Sequence, residues 1–375
     1  MKRFTKLNYF IIGTFALFLS MPAIFGLILP KRTNSLIENR RLSDLPKEPK
    51  NWQEIKKTSQ EFDTYYADHF GFRWSLLFLY RHLKYFIHDS PLETAFFGNE
   101  KGWIFYSSKI DGDTNGDYRN INQFSKKQLD SIIKHLKQKQ QWLAEQNIEY
   151  LFVMPPSKHY IYPEHLPSYI KPIKQQNLLD QLTIALQKHP EINFLNLRPV
   201  LLQAKSNRLL YYKADTHWNF FGANFAQFEI ANKVSELFPN KIIPKLYPPT
   251  FFTETYMVEG DMAKVMGLGK YFIEEKIKPD FDTCTDFLPK NKKLFKIHCF
   301  GSDLSVLIFR DSFFTNLQAY ISLYFHDSTF VWEKMTFTQA QLLITKNKPD
   351  IVIEEFVDRY LPKSLSPNYK YDKNN

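Results

Sequence analysis

The sequence predicts an α/β fold in which a mostly parallel sheet carries helices on both faces. The main observation is an alternation that begins near residue 125. QFSKKQLDSIIKHLKQKQQWLAEQN has helical periodicity, EYLFVM reads as a strand, LLDQLTIALQK as a helix and NFLNL as a strand. Further on, SVLIF is an apolar strand, FTNLQAYISLYF a helix, STFVW a strand, FTQAQLLITKN a helix and DIVIEEF a final strand. Strands that alternate with helices assemble into parallel sheets covered on both sides, with ligand sites at the carboxyl ends of the strands. The second observation is an uncharged run at the N-terminus, which adds a transmembrane helix to this core.

Residues Leu7 to Leu29 carry no charge and lie between Lys2, Arg3, Lys6 and Lys31, Arg32. The run is long enough to cross a bilayer as a helix, and its basic N-terminal flank favours a cytoplasmic N-terminus. A cleaved signal peptide, with Met21-Pro22-Ala23 approximating a processing site, is the rival reading; the apolar run is longer than a usual signal core, which favours an uncleaved anchor. ENRRLSDLPKEPKNW then reads as a charged, proline-containing linker. QEFDTYYADHFGFRWSLLFLYRHLKYFIH reads as two helices interrupted at Gly71, and GNEKGWIFY as a turn before a short aromatic strand.

The 375 residues hold ample material for a core, and 44% hydrophobic with 23% charged residues is globular composition. Aromatic residues reach 17%; such rings fill cores first and also stack on sugars. The net charge of +10 fits an anionic membrane, an acidic polymer or nucleic acid. Scattered lysines and the lack of zinc-finger, RNP or basic-zipper patterns argue against nucleic acid. Only Cys284 and Cys299 occur; an oxidising compartment would allow them to pair, two buried thiols are the alternative, and their spacing does not suit zinc.

At the carboxyl end of SVLIF the chain continues Arg310-Asp311-Ser312-Phe313-Phe314, which puts Ser312 at a strand-to-helix turn. A serine there projects its hydroxyl into the cleft, where its own N–H and the positive end of a helix steady a developing oxyanion. A hydroxyl needs a base, and an imidazole serves best with a carboxylate behind it. DTHWNFFGANF supplies Asp215 and His217 two residues apart. Capping alone also explains Asp311 and Ser312, and a D-x-H pair is also a satisfied core pair or two metal ligands, although no third ligand stands at a recognisable interval.

In DTHWN and RDSF together the sequence resembles the membrane-associated SGNH-type polysaccharide O-acetyltransferases of alginate and related exopolysaccharide acetylation, whose D-x-H-W element precedes a D-S-F/Y turn. ENRRL, YYADHFGFR, GNEKGWIFY, PPSKHYIYPEHLP, YYKADTHWNFFGA, GDMAKVMGL, FRDSFF and KPDIVIEEFVDRYL follow in the family's order over most of the chain after the anchor. The resemblance implies an SGNH-hydrolase-like sheet with permuted motif order. It implies Ser312 as nucleophile, His217 as general base and Asp215 as orienting carboxylate, with no cofactor and no metal. It further implies a polytopic membrane acyltransferase as acyl donor, a polysaccharide acceptor, and attachment to a bacterial inner membrane with the catalytic domain in the periplasm. On this reading residues 1–30 form the anchor, 31–50 a linker and 51–375 the acyltransferase domain. Arg310 stands where the family's G-D-S has glycine, so a side chain crowds the turn and adds a charge that would suit an acidic sugar.

Neighbouring residues carry paired readings. Trp218 is a wedge behind the imidazole or a sugar-stacking wall, and Asn219 a helix cap or an oxyanion donor. Lys158 and Tyr162, in a proline-rich loop after EYLFVM, would meet the polymer at the cleft lip or simply face solvent. GDMAKVMGL would form another wall or merely pack. An esterase of the same fold and a non-catalytic glycan-binding or assembly scaffold are the alternative functions, the latter suggested by Arg310.

Overall fold

The structure, a computed structural model, describes residues 5–35, 40–109, 112–243, 252–279 and 292–365. Lys2, Arg3 and Cys284 lie outside them; Cys299 is buried and disulfide-bonded. The chain divides into two compact units, Met1–Leu92 with Ala263–Tyr271, and Glu93–Met262 with Phe272–Asn375.

The first unit is helical. Helix α1 (Lys6–Ile28) is apolar on all sides, and its Lys6–Gly26 stretch has a mean hydropathy of 1.8 and no buried share. A helix of that length and composition serves as a membrane anchor or a signal sequence. Helix α2 (Trp52–His69) starts at the Asn51 cap, and α3 (Arg73–Phe86) follows an elbow at Phe70-Gly71-Phe72. Asp68 ties this unit to the segment after α1 by accepting from Arg40 Nη1 at 3.0 Å and from the Ser43 N–H at 2.8 Å. The Arg40 guanidinium holds the Asp68 carboxyl well below the usual range, overcoming the cost of burial. Two helices broken at Gly71 match the sequence expectation, but they group with α1 and not with the α/β core.

The second unit holds that core. A hairpin of β1 (Ala95–Phe97) and β2 (Ile104–Tyr106) comes first. Next come α4 (Lys126–Ala144), β3 (Glu149–Met154), α5 (Leu178–Leu186), β4 (Phe194–Asn196) and α6 (Phe220–Leu237). A second hairpin, β5 (Phe252–Glu259) and β6 (Ile273–Pro279), precedes β7 (Leu294–His298), β8 (Ser305–Phe309), β9 (Asp327–Val331), α7 (Phe337–Asn347) and β10 (Ile351–Glu355). The central sheet has the order β4-β3-β10-β8-β9-β7, parallel throughout except for the β7 edge.

Local chemistry accounts for the helix starts. Ser125 with Gln128 and Asn177 with Asp180 form capping boxes on α4 and α5, and Thr336 caps α7. Strand residues divide by alternation between two cores. Leu151, Val153, Val306, Ile308, Ile351 and Ile353 pack on one face, and Tyr150, Phe152, Leu307, Phe309 and Val352 on the other. Burial on both faces explains why these strands read as unbroken apolar runs.

Two expectations need correction. The segment after Ser312 is a 3-10 turn (Phe313–Asn316) followed by a short helix (Gln318–Ser322), not one continuous helix. β7 was not anticipated: as an antiparallel edge it turns only Phe295 and Ile297 inward, so it lacks the continuous apolar run of the central strands.

Candidate active site

Ser312 follows β8 directly, at the carboxyl edge of the parallel strands. Its turn is fixed by its neighbours. Asp311 accepts from the Phe313 N–H at 2.7 Å and, with its other oxygen, from the Val357 N–H at 2.8 Å. The Asp311 N–H in turn donates to Glu355 at 3.2 Å. Asp311 is therefore occupied in bracing the turn to the end of β10, and Ser312 makes no side-chain capping bond. The Ser312 hydroxyl instead meets His217 Nε2 at 2.9 Å. The opposite ring nitrogen, Nδ1, lies 2.7 Å from Asp215 Oδ1. The three side chains thus form one hydrogen-bonded chain spanning residues 95 positions apart.

Asp215 and His217 lie in an irregular loop closed by the Tyr211↔Trp218 bridge, just before α6. Such a loop leaves backbone groups that must be satisfied from elsewhere. Lys158 takes the carbonyls: its buried ammonium donates to Ile104, Tyr212, Lys213 and Asp215 oxygens at 2.6, 3.1, 2.7 and 2.8 Å. Glu274 takes the Lys213 and Ala214 N–H groups at 2.5 and 3.1 Å. Asp261 takes the Thr216 N–H and the Thr216 hydroxyl, both at 2.8 Å. Asp261 comes this close because Gly260 precedes it; a Cβ at 260 would lie 2.3 Å from the Ala214 carbonyl.

Asp261 also places an oxygen 3.4 Å from His217 Nδ1, so two carboxylates face one ring. Burial opposes charge on the imidazole, but the bonds to Asp215 and Asp261 outweigh it and raise the pKa to about 9. Burial likewise opposes charge on Asp215, and His217 reverses it, holding that carboxyl well below the usual range. Burial draws Lys158 down to about 8, held there by the Glu274, Asp215 and Asp261 charges, so it is still charged at neutral pH.

Of the residues expected around these segments, Lys158, Tyr162 and Arg310 are placed differently, whereas Trp218 and Asn219 follow one of their two readings. Lys158 is 3% exposed and belongs under the loop, not at a lip, its ammonium sharing three N–H groups among the four carbonyls. Tyr162 is buried as well, its hydroxyl accepting from the Leu210 N–H at 2.8 Å. Arg310 turns away from the cleft: its guanidinium lies 4.1 Å from the Trp332 ring centroid and donates to the Asp311 carbonyl and Thr315 hydroxyl, each at 3.0 Å. Gln318, with its amide oxygen facing Arg310, accepts at 2.7 and 3.2 Å. The arginine therefore clamps the Ser312 turn without crowding it. Trp218 is fully buried, donating from Nε1 to the Phe313 carbonyl at 3.0 Å, while Asn316 donates to the Trp218 carbonyl at 2.8 Å. It is a wedge joining the two motifs, not an exposed wall. Asn219 accepts from the Phe221 and Gly222 N–H groups and donates to the Leu209 carbonyl, which makes it the α6 cap.

Among the described residues, two groups offer metal-ligand atoms within 4.8 Å of one another: Asp215, His217, Asp261, and His298, His326, Asp327. In the first, both imidazole nitrogens already take part in the Ser312 and Asp215 contacts, so a cation there would break the chain. In the second, the Lys296 ammonium lies 2.8 Å from Asp327.

Sequence reasoning had not assigned roles to Asp261, Glu274 or Thr216. The Gly-Asp pair in GDMAKVMGL carried the signal, since a glycine before a carboxylate marks a close backbone approach.

Residues 97–357 match the family described as SGNH hydrolase-like domain, acetyltransferase AlgX. Among solved structures the chain is similar to Bacillus cereus PatB1, at 15% identity and a TM-score of 0.50, covering 71% of this chain and 97% of that one. It is also similar to the O-acetyltransferase domain of Pseudomonas putida AlgJ, at 16% identity, 72% and 92% coverage and a TM-score of 0.44. A DHHW family protein from Eubacterium siraeum shows 13% identity, 75% and 97% coverage and a TM-score of 0.46. No curated protein matches the chain. At such identities the structures speak to the fold, whereas the family match spans well over half the residues, so this chain belongs to the SGNH hydrolase-like, AlgX-type acetyltransferase family.

Proposed function

We propose that the protein O-acetylates an exported polysaccharide through an acetyl-serine at Ser312. Ser312 Oγ attacks the carbonyl of an acetyl donor while His217 Nε2 takes its proton. The tetrahedral intermediate collapses, and the leaving group departs with that proton. A sugar hydroxyl then attacks the acetyl-serine, gives its proton to His217, and releases the serine, which recovers the proton. Asp215 holds the ring and stabilises its charged form throughout. The Ser312 N–H is the expected donor to the oxyanion, since the following 3-10 turn is too short to add much of a helix dipole.

The observation that carries this reading is the unbroken Ser312–His217–Asp215 hydrogen-bond chain at the carboxyl edge of β8. Family membership supports the acetyl group and the polysaccharide acceptor. The same family reading supports a polytopic membrane acyltransferase as donor and a periplasmic domain held by α1. Arg310, the residue that suggested a non-catalytic scaffold, is packed away from the cleft and lends that alternative no support.

The test is Ser312→Ala in the full chain. Glycan acetylation is expected to disappear while folding and membrane attachment persist; unchanged acetylation removes the acyl-enzyme reading. Incubating the wild type with an acetyl ester, with and without oligosaccharide, separates transfer from hydrolysis. Acetate release that is indifferent to the sugar favours the esterase.

A further inference from the structure

Helix α3 is amphipathic the wrong way round for a protein surrounded by water. Leu76, Leu79, Tyr80, Leu83, Phe86 and Ile87 recur at helical spacing and are 47–75% exposed. The first five lie on α3 and Ile87 is its C-cap. Arg81, about 140° around the helix from Leu76, is the residue that is buried, and it donates to the Val265 carbonyl at 3.4 Å. Tyr85 and His82 pack on Tyr271 of the same unit at 4.9 and 5.4 Å between centroids. Arg81, His82 and Tyr85 of α3 therefore face their own protein, while an apolar stripe of three turns faces out. A contiguous stripe of this kind marks a surface that is covered in use.

The position of the elbow identifies the cover. Gly71 donates its N–H to the Pro22 carbonyl of α1 at 3.1 Å. A Cβ on Gly26 would lie 2.9 Å from the His69 carbonyl, and the Phe25 and Phe72 rings are 4.6 Å apart. The start of α3 is thus in contact with α1 between Pro22 and Gly26. Pro22 precedes the last residue of α1 by roughly 9 Å along the helix axis, the depth of a headgroup and upper acyl layer. Basic and aromatic groups suited to that layer cluster alongside: Arg32 lies over the Trp74 ring at 4.4 Å and Lys31 over the Tyr65 ring at 5.0 Å.

We propose that α3 lies in the membrane–water interface at the C-terminal end of α1, with its Leu76-to-Ile87 stripe among the lipid acyl chains, as a second and in-plane membrane contact. This rests on α1 being retained as an anchor. Lipid is favoured over a protein partner because the stripe begins where the chain leaves its own membrane helix, and because an apolar helix face beside basic residues is the form that interfacial helices take.

The experiment uses the full chain in vesicles of phosphatidylethanolamine and phosphatidylglycerol. An environment-sensitive dye is attached under non-reducing conditions to Leu79→Cys, Leu83→Cys, Phe18→Cys in α1 or Lys137→Cys in the α/β unit, and the wild type gives the labelling background. Doxyl groups near the headgroup or at the chain end report depth. Labels at 79 and 83 are expected to emit to the blue of the Lys137 label and to be quenched best by the shallow doxyl, as for immersion of roughly 5–10 Å. In the Leu76→Glu background the Leu83→Cys label is expected to move toward water, with the fold unchanged because Leu76 is exposed. A quenched label at 18 with unquenched labels at 79 and 83 overturns the inference, keeps the anchor and gives the stripe to a protein. An unquenched label at 18 overturns the anchor reading and this inference with it.

Discussion

The two halves of the candidate site are held in different ways. The Ser312 turn hangs from a central strand: β8 is hydrogen-bonded on both sides, and Asp311 and Arg310 merely finish a position that the ladder has already set. The Asp215–His217 loop has no ladder of its own beyond one bridge. Its backbone groups end on Lys158, Glu274 and Asp261, which come from three distant parts of the chain. One half is placed by secondary structure and the other by a buried lysine and two carboxyl side chains, where a missing partner is costly. The loop half is therefore expected to be the more fragile to substitution and the more sensitive to pH.

Within the loop half, the largest effect on chemistry should come from its own carboxylate. Asp215→Asn is expected to lower acetyl transfer by roughly 10³–10⁴-fold, because the neutral amide favours the wrong tautomer and cannot stabilise the imidazolium. Near-normal turnover of a model acetyl ester by this variant would remove Asp215 from its role.

Lys158→Met sets scaffold against chemistry. It takes the ammonium from the Ile104, Tyr212 and Asp215 carbonyls, while the Lys213 carbonyl keeps the Ile104 N–H, and a loss of about 2–4 kcal/mol in denaturant unfolding is expected. Arg310→Met, on the ladder-supported side, should cost less than Lys158→Met. The reverse ranking would break the comparison.

The pH dependence of the loop has a defined sign. The folded His217 pKa, about 9, lies above its ordinary 6.5, so the ring's contacts contribute stability that is full below about pH 6.5 and is lost as pH rises through 9. Asp215 is depressed, so its contribution is present above its ordinary 3.8 and is lost in acid. Stability attributable to the pair is expected to be greatest between these ordinary values, and the difference between wild type and His217→Ala, followed across pH, measures it. Activity runs the other way: only the neutral ring takes the Ser312 proton, so the rate of Ser312 acetylation should climb with pH and level off above about 9.

Asp261→Asn is expected to have the smallest effect. Losing one of two facing carboxylates should move the midpoint of that profile down by about one unit, with the plateau little changed. A lowered plateau at an unmoved midpoint would mean that Asp261 serves only to shape the loop.

Much of the nucleophile half was legible in sequence, because the apolar SVLIF run and the residues after it locate a strand end by pattern alone. Asp215 and His217 were legible as a pair through their local spacing. The roles of Lys158, Tyr162 and Arg310 were not. Their side chains are long and amphipathic, and sequence does not say whether a lysine ends in water or among carbonyls 54 to 57 residues away. Asp261 was hidden for the same reason, since its partners stand 45 positions earlier.

Periodicity was therefore enough by itself to indicate the α/β core and the apolar N-terminal helix, and the two motifs to single out the candidate residues, because those signals act between near neighbours along the chain. Tertiary structure alone decided that two carboxylates would face one imidazole, that a lysine would be sealed beneath the loop, and that an arginine would pack aside from the serine. Each of these depends on burial and on partners brought together by folding, and these set the free energy of a charge far more than its place in the sequence does.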